Sequence, residues 1–250
     1  MSRLSILGAF ARIKADEVRE RFKKDQQRVD ENLPLGIEIG SYIKFPIMPF
    51  LDVKDLSDIE RPDGRLKVVA YGKIVDDGDV IHRFYLSDER SLLQIVTEED
   101  GTIYDGEIKF LQQAEALTPG PGSNAGDWDV WLDDLEEHPD TTFLIGYETF
   151  QRPGSEKVYS RMTQYDGSEQ IAPNINTEIV YSDSYGEKKL RFRHQWMDYG
   201  TYLGLGDGAE PDENTPEEWL FLDAISRGEE EAWVDIAVGI TLRESDLSVA

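Results

Sequence analysis

The sequence contains no cysteine. Disulfides, thiolate nucleophiles and sulfur-ligated zinc or iron–sulfur centres are therefore excluded, and the composition is compatible with a reducing cytoplasm. Histidine is scarce, at three residues in 250, and no two stand at ligand spacing. Basic residues are also few: 26 Lys and Arg oppose 51 Asp and Glu, for a net charge of −25 and a pI near 4.4. Such a balance argues against the DNA or RNA backbone as ligand, because phosphate binding draws its affinity from Lys and Arg. Long apolar runs are missing as well. Leu4 to Ala11 is too short to span a bilayer, and no small-residue cleavage site follows it, so the chain reads as soluble and cytoplasmic.

What is present is enough apolar and aromatic surface to fold, at 39% and 10% of residues. The charge is divided unevenly. Residues 1–28 hold eight Lys and Arg against four Asp and Glu, whereas the remainder holds 18 against 47. The first segment has no proline, and Leu4, Leu7, Ala11, Val18, Phe22 and Val29 recur at helical spacing, which predicts a long amphipathic helix. Asn32, Pro34 and Gly36 end that pattern. Two units follow: a basic helical arm over 1–31 and an acidic body over 32–250.

In the body the period becomes two. Leu66 to Val75 and Val80 to Ser87 flank Asp76, Asp77, Gly78 and Asp79 and predict a hairpin, with Ser91 to Thr97 continuing it. Further strands are expected at Ile37 to Phe45, Thr102 to Leu111, Thr142 to Phe150, Lys157 to Tyr165, Thr177 to Ser182, Lys188 to Gly200 and Ala232 to Leu242. Thr215 to Gly228 carries both a capping box and a strand-like Trp219 and Phe221, and strand is the favoured reading. One internal amphipathic helix starts at Asp127 and places Trp128, Trp131, Leu132 and Leu135 on one face. The expected fold is mainly β: antiparallel sheets in a sandwich-like or strongly curved body, with the N-terminal helix and this internal one.

Chemistry-bearing residues are sparse. Alternation puts His82 on one side of its strand with Val80, Phe84 and Leu86, and Ile81, Arg83 and Tyr85 on the other. His82 can serve as a general base and Arg83 as an anion clamp, or both can be ordinary paired side chains of a sheet. His194 shares a face with Leu190, Phe192 and Trp196, opposite a basic stripe of Lys189, Arg191 and Arg193. That stripe fits an acidic partner or a lipid headgroup, and equally fits neighbouring carboxylates. The clusters Asp76, Asp77, Asp79 and Glu98, Glu99, Asp100 offer hard oxygen ligands without the EF-hand spacing, so no metal is expected. Gly204, Gly206 and Gly208 lack the Lys-Ser/Thr of a phosphate loop. No serine lies in a G-x-S-x-G elbow, and no catalytic residue and no cofactor are assigned. On the arm, Leu4, Leu7, Phe10, Ala11, Val18 and Phe22 form the candidate binding face. It suits a partner coiled coil, an anionic membrane surface, or the acidic body itself.

Leu33-Pro34-Leu35-Gly36-Ile37-Glu38-Ile39-Gly40, the strand Ile81-His82-Arg83-Phe84-Tyr85, the Leu92 to Val96 strand and Ile236-Ala237-Val238-Gly239-Ile240-Thr241-Leu242 with Asp246-Leu247 resemble the YjfK-like family of uncharacterised bacterial proteins, over roughly residues 33 to 248. The resemblance implies a setting beside a PspA-like coiled-coil membrane-stress protein and a ligase similar to glutathionylspermidine synthase. The expected function is a non-enzymatic interaction or adaptor protein of the cytoplasm, docking through its N-terminal helix on a membrane-associated coiled-coil protein, peripheral at the inner membrane. The alternative is an enzyme or polyamine-binding protein using His82, Arg83 and Tyr85. A third reading, an acidic mimic of nucleic acid, requires carboxylates spaced like phosphates on one face.

Overall fold

The computed structural model describes residues 6, 28–120, 126–128, 131, 145–152, 155–162, 171–205, 210–212, 215–228 and 231–250. Among them, twelve strands form: β1 (Tyr42–Lys44), β2 (Arg65–Asp76), β3 (Asp79–Leu86), β4 (Ser91–Glu98), β5 (Ile103–Leu117), β6 (Thr149–Gln151), β7 (Val158–Arg161), β8 (Asn174–Tyr181), β9 (Lys189–Tyr202), β10 (Glu217–Arg227), β11 (Glu231–Thr241) and β12 (Ser248–Val249). A short helix, Met48–Asp52, and two 3₁₀ turns accompany them.

The strands grow from local sequence. β2 and β3 pair from Asp76 opposite Asp79, which leaves Asp77 and Gly78 as the turn. Both have positive φ, 43° and 97°, the type I′ geometry that matches strand twist and that Asp-Gly adopts readily. The meander β2-β3-β4-β5 continues to β11, β10 and β9, and β8 pairs with both β9 and β2. The circuit closes as an eight-stranded antiparallel barrel. Register shifts at Val68/Ala70, Ile95/Thr97 and Ile236/Ala237 supply the local bends that curvature requires. The mainly β, strongly curved expectation holds, but the sandwich does not: closure through β8 leaves one continuous wall instead of two facing sheets.

Closure sorts the alternating side chains. Lys73, Val75, Thr177, Arg191 and Arg193 are exposed, so their face of β2, β8 and β9 is the outside; Gly72, Ile74, Glu178, Val180, Phe192 and His194 are buried and point into the barrel. Around the rest of the barrel the outer face is covered. Phe84, Leu93, Ile95, Phe110, Leu222 and Ile236 pack into one cluster with Ile37, Phe45, Phe50 and Ile59 from the preceding segment and with Trp131, Phe150 and Tyr159. The interior holds two smaller apolar clusters.

Several expected boundaries shift. Ile37 to Phe45 keeps only the three-residue β1, because the Pro34–Gly36 turn and a hydrogen bond from Ile39 N to Asp30 Oδ2 (2.9 Å) hold the chain before it. Within Thr215 to Gly228 the strand reading holds, as β10 over Glu217–Arg227. Of the arm, Ile6, which is helical, and Arg28 to Glu31 are described. Val29, expected on the helical face, instead lies in a turn, where its N–H donates to Ser184 O at 2.8 Å, and the internal helix is described only at Trp128 and Trp131. Leu4, Leu7, Phe10, Ala11, Val18, Phe22, Leu132 and Leu135 lie outside the described residues.

Candidate functional site in the barrel interior

The barrel interior is layered. At one end Ala70, Tyr85, Val180, Phe192, Ile225 and Trp233 pack together with Ile6 of the arm. Towards the other, Ile74, Ile81, Leu111, Trp196 and Phe221 form a second apolar group. Between them lies an ionic layer contributed by four strands: Arg83 from β3, Glu178 from β8, His194 from β9 and Asp223 from β10.

The layer is buried. Arg83 Nη1 stands 3.6 Å from Glu178 Oε2 and 3.4 Å from Asp223 Oδ2, while Arg83 Nε donates to Gln94 Oε1 at 3.1 Å. His194 Nε2 lies 2.9 Å from Glu178 Oε2, and its Nδ1 lies 2.8 Å from Asp223 Oδ2. Tyr85 Oη is 2.9 Å from both Glu178 oxygens and donates to that carboxylate. Charges removed from water persist only when paired in this way.

Titration follows from the pairing. Burial opposes the charge on His194, but Asp223 and Glu178 outweigh it and lift its pKa to about 9, so the imidazole is a cation at neutral pH. Burial likewise opposes the Arg83 charge and is overcome by Glu178 and Asp223, which raise its pKa. The Asp223 pKa falls, since His194 and Arg83 outweigh the effect of its burial. Tyr85 rises well above its ordinary value through burial and the adjacent Glu178, and stays a neutral donor.

Asp235 on β11 sits directly across from Asp223 in register. Burial pushes its pKa up to about 7 and Asp223 adds to the rise, against the nearby Trp233 indole and the hydrogen bond from Gln113. The Gln113 bond, Nε2 to Asp235 Oδ1, is 2.7 Å long. A cavity of about 70 Å³ reaches both carboxylates; Arg83, Leu111, Phe221, Ile225, Ile6 and Ser91 help to line it, together with the exposed Glu89 and Arg90. By this measure the space admits several water molecules. Asp223 lines it, and its buried Oδ1 has no hydrogen-bond partner among the described residues.

The sequence-derived candidates separate. Arg83 and Tyr85 enter the barrel and meet at Glu178. His82 is on the outer face, where its Nδ1 lies 2.9 Å from Tyr71 Oη and its Nε2 3.2 Å from Thr97 Oγ1; burial, with Lys73 nearby, lowers its pKa to about 4. His194 faces inward, and Lys189, Arg191 and Arg193 form an exposed outer stripe. Asp76, Asp77 and Asp79 belong to the β2–β3 turn, and no group of three His, Asp or Glu arranged to hold a metal occurs among the described residues. Glu178, Asp223 and Asp235 escaped the sequence reading. For Asp223 and Asp235 the signal is a lone carboxylate inside an apolar strand, as in Trp219-Leu220-Phe221-Leu222-Asp223-Ala224-Ile225 and Trp233-Val234-Asp235-Ile236-Ala237-Val238, whereas the polar run around Glu178 carries none.

A family model described as a protein of unknown function (DUF2491) matches residues 18–248. No curated protein and no solved structure matches the chain.

Proposed function

Since the chain belongs to the DUF2491 family, whose function is unknown, we propose that it is a non-enzymatic interaction protein whose N-terminal arm is held in its own barrel and is exchanged onto a partner helix. The observation that carries this reading is the placement of Ile6. The side chain is 5% exposed and packs with Tyr85, Phe192, Ile225 and Trp233 at one end of the barrel interior. Burying an isoleucine contributes about 1.5–3 kcal/mol, enough to hold an arm and small enough for a partner groove to compete. The apolar spacing of the arm suits such a groove. The resemblance to the YjfK-like family supplies the partner class, a PspA-like coiled coil on the inner face of the cytoplasmic membrane.

The absence of cysteine makes the test direct. In an Ile6→Cys variant the single thiol is expected to react slowly with a maleimide, and its labelling rate should change on adding a purified PspA-like coiled-coil protein. An Ile6→Asp variant, with the arm expelled by an unpaired charge, should bind that partner more tightly than the wild type. Equal affinity of the two proteins for the coiled coil removes the proposal.

A further inference from the structure

We propose that the cavity inside the barrel is a binding site for a small protonated alkylamine, with the ammonium between Asp223 and Asp235 and the alkyl chain along Leu92, Leu111 and Ile225. This goes beyond the docking role of the arm and does not depend on it.

Three observations converge. Asp223 is 6% exposed and lines the cavity, and its Oδ1 has no partner among the described residues, although its Oδ2 serves both His194 and Arg83. A buried carboxylate oxygen without a donor is costly, so the position is suited to a donor brought by a ligand. Charge gives the second argument. Arg83 and His194 balance Glu178 and Asp223 as two cations and two carboxylates. Gln113, which donates to Asp235, is neutral, as is the nearby Trp233. Once ionised, Asp235 leaves the site one positive charge short, and an ammonium supplies it with three donors. The third argument is the wall. Leu92, Leu111, Phe221, Ile225, Ala237 and Ile6 line the same cavity as the carboxylates, an apolar wall of the kind that holds an alkyl chain. An anion would meet Asp223, Asp235 and Glu89 and find its guanidinium, Arg83, already engaged.

Binding is coupled to protons. Asp235 faces Asp223 across the strand pair, with His194 and Arg83 behind that carboxylate and the exposed Glu89 and Arg90 also lining the cavity. Because its pKa lies at about 7, part of the population is protonated at neutral pH, and a bound cation should drive the proton off.

The test is calorimetric titration of the full chain with n-propylammonium chloride, using 1-propanol as the uncharged control of the same shape. Saturable binding of the amine in the millimolar range or tighter is expected, with no binding of the alcohol. At pH 7 the heat should vary with the ionisation enthalpy of the buffer, reporting proton release. Asp235→Asn, nearly isosteric, should weaken the amine at least tenfold and abolish the buffer dependence. Ala237→Leu fills the cavity without touching a charge and should abolish binding, with circular dichroism confirming that both variants fold. Absence of amine binding to the wild type, equal binding of the alcohol, or undiminished binding in both variants overturns the site.

Discussion

Gly72→Ala is the substitution on which the description of the barrel interior stands or falls. Gly72 lies on β2 with an ordinary strand backbone, so alanine there should by conformational entropy stabilise the protein by about 0.5–1 kcal/mol. The interior reverses that sign. A Cβ at position 72 falls within the envelope of Glu178 Oε1, 2.7 Å from Glu178 Cδ and 3.2 Å from Tyr85 Cε2. The carboxylate cannot swing aside freely, because Tyr85, Arg83 and His194 all hold it. Displacing it breaks a buried ion pair, a loss of about 3–5 kcal/mol, for a net destabilisation of about 2–4 kcal/mol. Urea denaturation followed by circular dichroism reads this as a lowered midpoint. The Gly72→Ala/Glu178→Asp double variant, whose carboxylate is one methylene shorter, should be less destabilised than the sum of the two single changes. A Gly72→Ala protein as stable as the wild type would refute the inward placement of Glu178.

Two histidines should titrate in opposite directions from the ordinary 6.5, His82 near 4 and His194 near 9, as read by NMR with His82→Gln and His194→Gln variants for assignment; two overlapping curves near 6.5 would contradict their burial. Between about 4 and 6.5 the unfolded chain binds a proton that His82 refuses when folded, so this residue makes stability rise with pH. Asp235 does the reverse from 3.8 to about 7, since the folded protein keeps a proton that the unfolded chain releases. Asp235→Asn should therefore steepen the rise of stability from pH 4 to 6.5 by up to about 1.4 kcal/mol per pH unit; stability curves parallel to those of the wild type would exclude the opposition. Gly78→Ala, at φ 97°, should cost about 1 kcal/mol through the strained turn, whereas Asp77→Asn, which tolerates the same geometry, should change the urea midpoint little.

The strands were legible because their period is local. Val80 to Leu86 is a short run rich in β-branched and aromatic residues, Asp77-Gly78 has the chemistry of its turn, and the two faces around Arg83 and His194 follow from spacing. Closure was not legible. It depends on Tyr71 to Lys73 meeting Ile179 to Tyr181, and nothing in either segment names the other. The site suffered for the same reason. Arg83 and Tyr85 were singled out, but Glu178, Asp223 and His194 come from three other strands, and an inward charge looks like any other charge until the wall curves round it. His82 drew attention because histidine is rare here, yet its strand turns it away from Arg83.

The seam between β2 and β8 also bears on how the molecule is assembled. β2 to β5 can form as a local meander, and β8 to β11 as another, each from neighbours in the chain. The seam joins positions about a hundred residues apart, so its loop-closure entropy must be met before the contact contributes anything. It is also short, with three paired positions, and its inner side carries Glu178, a charge that is tolerable only once Arg83 and His194 are in place. Sealing of the wall is therefore expected to come late in folding. Amides of β8 should gain hydrogen-exchange protection after those of β3 and β4, and changes at Gly72 or Val180 should accelerate unfolding while leaving the refolding rate nearly unchanged.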